Sequence, residues 1–376
     1  MTIHSHGLEQ PPLQPGWKVD ISPPEKRNAS PLIHFLADSN SGNQSLSADG
    51  LQRELIAGLR SVTPSLPSML LWDDAGIRRF NTLTLDPNYY PSRTEMDLVT
   101  RHAEEIAMMT PPDSVLIELG CGNLRKTSII LSAFDRLSRP VRYYALDMSG
   151  GALQQSLQVL VKTFAHSNAI SISGLHATYD DCVAWIRSSP PALAPRQARS
   201  NVVSFLWLGN SIANLEPDDA SALLANFHDA CADTQLECRF LIGSDACADC
   251  STVRHSYGPN YKAITDFIFS GLEHANRLLG ADTLPPSAFR FVSEFQVQDR
   301  HLQVYYVAQR QVVVPLDGGD DDLVIAEGQK IAIIHSYKWS PDDMRRICTA
   351  AGLEARPGWK DPHIDYYLYT ASPRQV

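Results

Sequence analysis

The feature that most constrains the fold is a strand-like run of residues that leads into a glycine turn. Residues Ser114–Leu119 are mostly aliphatic and too few for a helix, a pattern typical of a strand buried on both faces of a parallel sheet. Gly120 and Gly122 then permit a sharp turn and close approach of a ligand to the backbone. Helical spacing resumes from Thr127. Strand, glycine turn and helix in this order indicate a nucleotide-binding unit.

An acid at the end of the next predicted strand supports this interpretation. The strand begins at Val141 and ends in Asp147, 25 residues after Gly122, and an acid at that position can accept both hydroxyls of a ribose. A dinucleotide site would have a third glycine where this chain has Arg125. Glu118 also suits the cationic end of a ligand better than a pyrophosphate. The Glu-x-Gly-x-Gly form resembles class I S-adenosylmethionine-dependent methyltransferases.

Composition narrows the class of ligand and the compartment. The 376-residue chain is 44% hydrophobic and carries a formal charge of −10, so it can bury a full core but lacks the basic surface that nucleic acid requires. A small-molecule partner is expected. There is no membrane-spanning apolar run and no apolar signal segment, and we therefore predict a cytoplasmic protein without membrane association.

The seven cysteines are predicted to be reduced packing residues. They are odd in number and scattered, which does not suggest a disulfide framework. Cys247 and Cys250 form a C-x-x-C pair, but a zinc site would need a second pair or histidines at ligand spacing. No metal is expected, and a metal or redox role for this pair is the alternative.

The order of the predicted elements indicates an α/β fold, namely a doubly wound, Rossmann-like parallel sheet with a second, α+β lobe. Further strands are predicted at 170–174, 201–208, 237–243 and 364–370, and a helix from Thr94 to Met108. An acidic turn is predicted at 316–320. The predicted segments are a mobile tail (1–30), N-terminal helices contributing to a substrate lobe (31–95), a cofactor-binding Rossmann-like domain (96–249), an insertion forming most of the substrate lobe (250–336), and a return to the Rossmann-like domain (337–376).

Four spaced motifs resemble one known family. They are, in chain order, Tyr89-Tyr90-Pro91-x-Arg93-Thr94-Glu95, Glu118-Leu119-Gly120-x-Gly122 with Lys126-Thr127, Gly209-Asn210-Ser211-Ile212-Ala213-Asn214-Leu215, and Ser336-Tyr337-Lys338. Together they are similar to the histidine-specific methyltransferase family, which includes the ergothioneine-pathway enzyme and the fungal 4-dimethylallyltryptophan N-methyltransferases. The resemblance runs from about Leu51 to the C-terminus and implies that the chain uses S-adenosylmethionine.

The resemblance and the glycine turn together predict the cofactor-binding residues. These are Glu118, Gly120, Gly122, Lys126, Asp147, Thr178 and Tyr179. In the family the acid corresponding to Asp147 binds the ribose. Where the histidine enzymes place an Asp beside the adenine, this chain has Thr178, so its hydroxyl or the neighbouring Asp180 is expected to serve that role.

The resemblance also implies residues for an amino-acid substrate. Tyr89, Asn214 and Tyr257 are the predicted catalytic residues. Asn214 and Tyr257 are expected to hold the carboxylate, while Tyr89 or a water orients the amine and takes its proton. The predicted substrate-binding residues are Trp72, Tyr89, Asn214, Tyr257, Val304, Ile334 and Ser336.

One departure from the family predicts the substrate. The imidazole-binding Glu of the histidine enzymes lies two residues before the motif's Ser, and here that position is Ile334. A site without that acceptor leaves the imidazole N–H groups unpaired, at a cost of about 1–3 kcal/mol. We therefore predict α-N-methylation of 4-dimethylallyl-L-tryptophan in ergot-type alkaloid biosynthesis. The alternatives are methylation of tryptophan, tyrosine or histidine, or a non-catalytic S-adenosylmethionine-binding module; the oligomeric state and the number of methyl groups stay open.

Overall fold

The computed structural model describes residues 31–36, 48–188, 201–280, 282–315 and 322–374. The predicted tail at 1–30 and acidic turn at 316–320 lie outside these ranges. The described α-helices are α1 Ala48–Leu59, α2 Asp74–Leu83, α3 Tyr90–Met109, α4 Arg125–Arg136, α5 Gly150–Thr163, α6 Tyr179–Ser188, α7 Pro217–Asp233, α8 Cys250–Tyr257, α9 Lys262–Leu279 and α10 Pro341–Ala350. The described strands are β1 Leu32–Phe35, β2 Ser114–Leu119, β3 Val141–Asp147, β4 Ile170–His176, β5 Val202–Trp207, β6 Glu237–Asp245, β7 Phe289–Gln296, β8 His301–Ala308, β9 Val312–Val314, β10 Leu323–Ile325, β11 Lys330–Tyr337, β12 Leu353–Lys360 and β13 Tyr366–Pro373.

The main sheet confirms the predicted Rossmann-like fold. Its strand order within the described residues is β1-β4-β3-β2-β5-β6-β13-β12. The strands from β1 to β6 pair in parallel, and β13 and β12 add antiparallel pairs. The chain runs outward from β2 in one direction through β3 and in the other through β5. A ligand of such a sheet binds where this direction reverses, outside the carboxyl ends of β2 and β5.

A second sheet lies beside the first. Strands β7, β8 and β11 form it, and both pairs are antiparallel. Its apolar face packs with α1, α8 and α9 in a core separate from those on the two faces of the main sheet. A three-stranded antiparallel sheet packed against helices agrees with the α+β character predicted for the second lobe. No helix in the described part of the chain is both long and apolar enough to cross a membrane.

Two predicted boundaries were wrong, and one strand was not predicted. Helix α3 begins at Tyr90 rather than Thr94, because Pro91 lies in the first turn, where a missing N–H costs nothing. Strand β12 contains Pro357 and Gly358 and was not predicted, although edge strands tolerate such residues. The last strand is Tyr366–Pro373 rather than 364–370.

Candidate functional site

The turn after β2 has the backbone that its glycines predict. Gly120 and Gly122 have φ values of 73° and 54°, and Leu124 also adopts a left-handed conformation with φ of 57° before α4 begins. A Cβ on Gly120 would lie 3.2 Å from the Tyr179 hydroxyl, whereas one on Gly122 would have no heavy atom within 4 Å. The turn therefore lies against Tyr179 at one glycine and faces open space at the other.

Asp147 ends the neighbouring strand and faces this turn. Its carboxylate accepts hydrogen bonds from the backbone N–H groups of Gly122 (3.2 Å) and Ser149 (3.1 Å). Burial raises the pKa of the carboxyl. Each carboxylate oxygen can accept more than one hydrogen bond, so acceptor sites remain for two hydroxyl groups. These features fit the ribose of S-adenosylmethionine.

Glu118 is held below the turn by two hydroxyl groups. The Thr127 hydroxyl donates to Glu118 Oε2 at 2.6 Å, and the Tyr143 hydroxyl donates to the same oxygen. Burial raises the pKa of Glu118 to about 7 despite these hydrogen bonds. The carboxyl is thus held in a fixed orientation through one of its two oxygens.

Lys126 and Glu95 connect the turn to the rest of the sheet. Glu95 is fully buried; it pairs with the Lys126 ammonium and accepts from the Gly209 N–H at 2.8 Å and the Tyr366 hydroxyl at 2.9 Å. Helices α3 and α4, the loop after β5 and strand β13 therefore meet at one carboxylate. Glu95 lies in the first motif, but sequence reasoning did not assign it this role.

Thr178 and Tyr179 lie at the start of α6. The Thr178 hydroxyl donates to Asp181 Oδ2 at 2.7 Å and accepts from the Asp181 N–H at 3.1 Å. Both interactions cap the helix, so this hydroxyl is already engaged, whereas Asp180 is exposed. The Tyr179 ring meets Trp207 edge-on, with 5.4 Å between ring centroids.

A second group of polar residues lies where the two sheets meet, and we call it the junction cluster. Its members are Tyr89, Tyr90, Asn210, Asp245, Tyr257, Ser336 and Lys338. Lys338 and Asp245 are fully buried and form an ion pair of 2.9 Å. The Lys338 ammonium also lies 3.2 Å from the Tyr257 hydroxyl and 3.4 Å from Ser336 Oγ. This ion pair thereby connects the carboxyl end of β6 to the end of β11.

The tyrosines of the cluster are mutually packed. The Tyr89 and Tyr257 hydroxyls are 3.4 Å apart, with their rings edge-on at 5.5 Å. The Tyr90 hydroxyl donates to Asp245 Oδ2 at 2.5 Å. Burial, above all, raises the pKa of Tyr89, of Tyr90 and of Tyr257. All three phenols are therefore neutral at physiological pH.

The structure brings Ile334, Ser336 and Val304 onto one face of the second sheet. Ser336 follows Ile334 by two positions in β11, and Val304 of β8 pairs directly with Ile334. The Asn210 amide donates to Ser336 Oγ at 3.3 Å, which links this face to the loop after β5. Val304 is fully buried and Ile334 is partly exposed.

The two remaining predicted substrate residues, Asn214 and Trp72, make no hydrogen bond or ring contact with the junction cluster among the described residues. Asn214 ends a short 3₁₀ turn on the loop after β5, and its side chain is half-buried with no hydrogen-bond partner among the described residues. Trp72 meets Phe80 at 5.1 Å between ring centroids, and Phe80 in turn meets Tyr89 at 6.3 Å. Trp72 therefore reaches the junction cluster through Phe80 rather than directly.

Sequence reasoning gave no role to four residues of the cluster, namely Tyr90, Asn210, Asp245 and Lys338. Tyr90, Asn210 and Lys338 lie within the motifs, and Asp245 is the last residue of β6. The motifs could have pointed to three of them, but no sequence signal shows that Lys338 pairs with Asp245. Among the described residues, no group of histidines, cysteines or acids could hold a metal ion, and Cys247 and Cys250 are free.

A parallel sheet with a glycine turn after β2 and an acid ending β3 defines a Rossmann-like, nucleotide-binding fold. The family described as "Histidine-specific methyltransferase, SAM-dependent" matches residues 51–373. The chain belongs to this family and is therefore an S-adenosylmethionine-dependent methyltransferase.

Fungal N-methyltransferases are among its relatives. The chain is 38% identical to N-methyltransferase benX of Aspergillus terreus over 320 residues, covering 85% of this chain and 87% of the relative. It is 35% identical to N-methyltransferase imqF of Aspergillus flavus over 316 residues, covering 84% and 83%. Identity to 4-dimethylallyltryptophan N-methyltransferase easF of Claviceps purpurea is 26% over 336 residues, covering 85% and 94%.

Proposed function

We propose that this protein methylates the α-amino nitrogen of a free aromatic L-amino acid in fungal secondary metabolism. The observation that carries the proposal is the junction cluster, where polar donors from both sheets lie beside the apolar side chain of Ile334. The first candidate substrate is 4-dimethylallyl-L-tryptophan, and tryptophan, tyrosine and histidine are the alternatives. The higher identity to benX and imqF than to easF favours testing this whole panel.

The cofactor residues of this proposal are those at the turn. Asp147 would hold the ribose, Glu118 the amino group of the methionine part, and Gly120 and Gly122 admit the ligand to the backbone. Lys126, which pairs with Glu95, would complete this set. S-adenosylmethionine, when bound, supplies an electrophilic methyl group on its sulfonium.

The protein's own contribution is to position the substrate and keep its amine unprotonated. Tyr257 and Asn214 donate to the carboxylate, which leaves the amine near Tyr89. Because the pKa of Tyr89 is raised by burial, its neutral phenol can accept a hydrogen bond from the amine but is not a tyrosinate base. The proton therefore leaves through water rather than on Tyr89.

The apolar side of the site is formed by Ile334 and Val304, with the ring of Trp72 behind Phe80. Apolar surface buried here contributes roughly 25 cal/mol per Å², which favours an indole or prenyl group over imidazole. The cytoplasmic location belongs to the same proposal. It is supported by the seven free cysteines, which are typical of a reducing compartment.

Calorimetry with S-adenosylmethionine, followed by a methyl-transfer assay, tests the proposal. The panel is 4-dimethylallyl-L-tryptophan, tryptophan, tyrosine and histidine, with products read by mass and the methylated nitrogen located by fragmentation. Asp147→Ala serves as the cofactor-deficient control and should lose both binding and turnover. If the parent binds S-adenosylmethionine but methylates no amino acid, the non-catalytic binding module is the better description.

A further inference from the structure

The Lys338 ammonium makes its three hydrogen bonds inside the protein, and the side chain does not contact solvent. It is fully buried, and its three protons face Asp245 Oδ2, the Tyr257 hydroxyl and Ser336 Oγ at 2.9, 3.2 and 3.4 Å. An ammonium group can only donate hydrogen bonds. The oxygens of Tyr257 and Ser336 therefore act as acceptors toward Lys338.

This arrangement determines what those two hydroxyls offer to a ligand. The Tyr257 oxygen accepts from Lys338, and Ser336 Oγ accepts from Lys338 and from the Asn210 amide at 3.3 Å. Each hydroxyl keeps one proton, and the proton of Tyr257 is available to a ligand when Tyr89, whose hydroxyl lies 3.4 Å away, is the donor of that pair. Tyr257, Ser336 and Lys338 form one corner of the junction cluster. This corner thus presents hydroxyl donors that are polarised by one ammonium group.

Asp245 does little to offset this donor character, because its fully buried carboxylate already accepts three hydrogen bonds. Oδ2 accepts from the Tyr90 hydroxyl at 2.5 Å and from Lys338, and Oδ1 accepts from the Cys247 N–H at 3.0 Å. The ion pair adds no net charge. A ligand ammonium group would have to reach the remaining acceptor site of Asp245, which is fully buried, whereas a carboxylate finds two donors.

We infer that Lys338 is the positioning residue that makes this corner selective for the substrate carboxylate, and so sets which end of an amino acid faces the methyl donor. The inference rests on the proposed amino-acid methylation. Lys338 acts through Tyr257 and Ser336 and does not itself contact the substrate.

The test compares L-tryptophan with tryptamine, which differ only in the carboxylate. Replacing Lys338 alone would leave Asp245 as an unpaired buried charge, so the variant is the double substitution Lys338→Met with Asp245→Asn, which retains an acceptor for Tyr90. The matched control is Lys330→Met on the same strand, which breaks an exposed pair with Glu294.

We expect the parent to favour tryptophan over tryptamine by about a hundredfold in kcat/KM. In the double variant this preference should fall to about tenfold or less, chiefly because the KM for tryptophan rises. The melting temperature and S-adenosylmethionine affinity of the double variant report folding. Lys330→Met should keep the parent's ratio. A purely structural Lys338 would leave the ratio unchanged in a folded double variant, and that result overturns the inference.

Failure of the proposed function gives a different pattern. A parent that methylates tryptamine as well as tryptophan overturns the inference but leaves amine methylation intact. If the parent methylates no amino acid of the panel, the proposed function fails. Calorimetric binding of L-tryptophan and tryptamine to the parent and double variant, saturated with S-adenosylhomocysteine, then decides the role of Lys338 by the same ratio.

Discussion

At the scale of single residues, Ile334 carries the substrate prediction. Ile334→Glu places a carboxylate beside Ser336, where it can pair with an imidazole but is costly against an indole. We expect the kcat/KM ratio of 4-dimethylallyl-L-tryptophan to histidine to fall by at least about tenfold. Specificity constants for both substrates provide the measurement, and Val297→Glu, at an exposed turn, is the control. Equal ratios before and after substitution would reduce Ile334 to a packing residue.

The raised pKa of Glu118 predicts a measurable dependence of protein stability on pH. Its carboxyl has a pKa of about 7 in the folded protein against 4.5 normally, so between these pH values the folded state binds more protons than the unfolded state. The stability contributed by the protonated form is therefore lost as pH rises through about 7. Glu118→Gln keeps an acceptor for Thr127 and Tyr143 and removes this loss.

The free energy of unfolding should fall between about pH 5 and about pH 8 in the parent. In Glu118→Gln we expect this fall to be smaller by on the order of 3 kcal/mol. Urea unfolding of both proteins at several pH values measures it. Glu104→Gln, at an exposed position of α3, should follow the parent. A parent and Glu118→Gln with parallel pH profiles would show that Glu118 is ionised throughout.

At the scale of elements, Glu95 holds α3, α4, β13 and the loop after β5 in register. Glu95→Ala leaves the Lys126 charge, the Gly209 N–H and the Tyr366 hydroxyl without their partner, so we expect a loss of about 3–5 kcal/mol in the free energy of unfolding. Glu104→Ala on the same helix breaks only an exposed pair with Arg136 and should cost under about 1 kcal/mol. Chemical denaturation compares them. Similar losses in the two variants would mean that Glu95 does not connect these elements.

At the scale of the whole molecule, burial separates the cysteines into two classes. Six of the seven are buried and Cys250 is partly exposed; burial also raises the pKa of Cys121 and Cys182, which suppresses the reactive thiolate. Iodoacetamide should therefore label the folded protein once, at Cys250, and the unfolded protein at every cysteine. Intact and peptide mass spectrometry measures this, with Cys250→Ser as the unlabelled control. Rapid native labelling of a second cysteine would contradict the packing role.

The sequence by itself determined the parallel α/β fold and the glycine turn. Both depend on neighbours along the chain: alternating strands and helices, positive φ at Gly120 and Gly122, and an acid at the end of the next strand. Strand β12 was missed because Pro357 and Gly358 disguise an edge strand. The start of α3 was misplaced because Pro91 is compatible with either a loop or a first helical turn.

Only the tertiary structure decided how the polar residues pair. Glu95 meets Tyr366 across 271 positions of sequence, and Lys338 meets Asp245 across the junction of two sheets. No local pattern encodes such a contact, because each partner is brought there by the packing of separate elements. The motifs named most residues of the candidate site, whereas burial and pairing determined which of them donate, which accept and which hold the others in place.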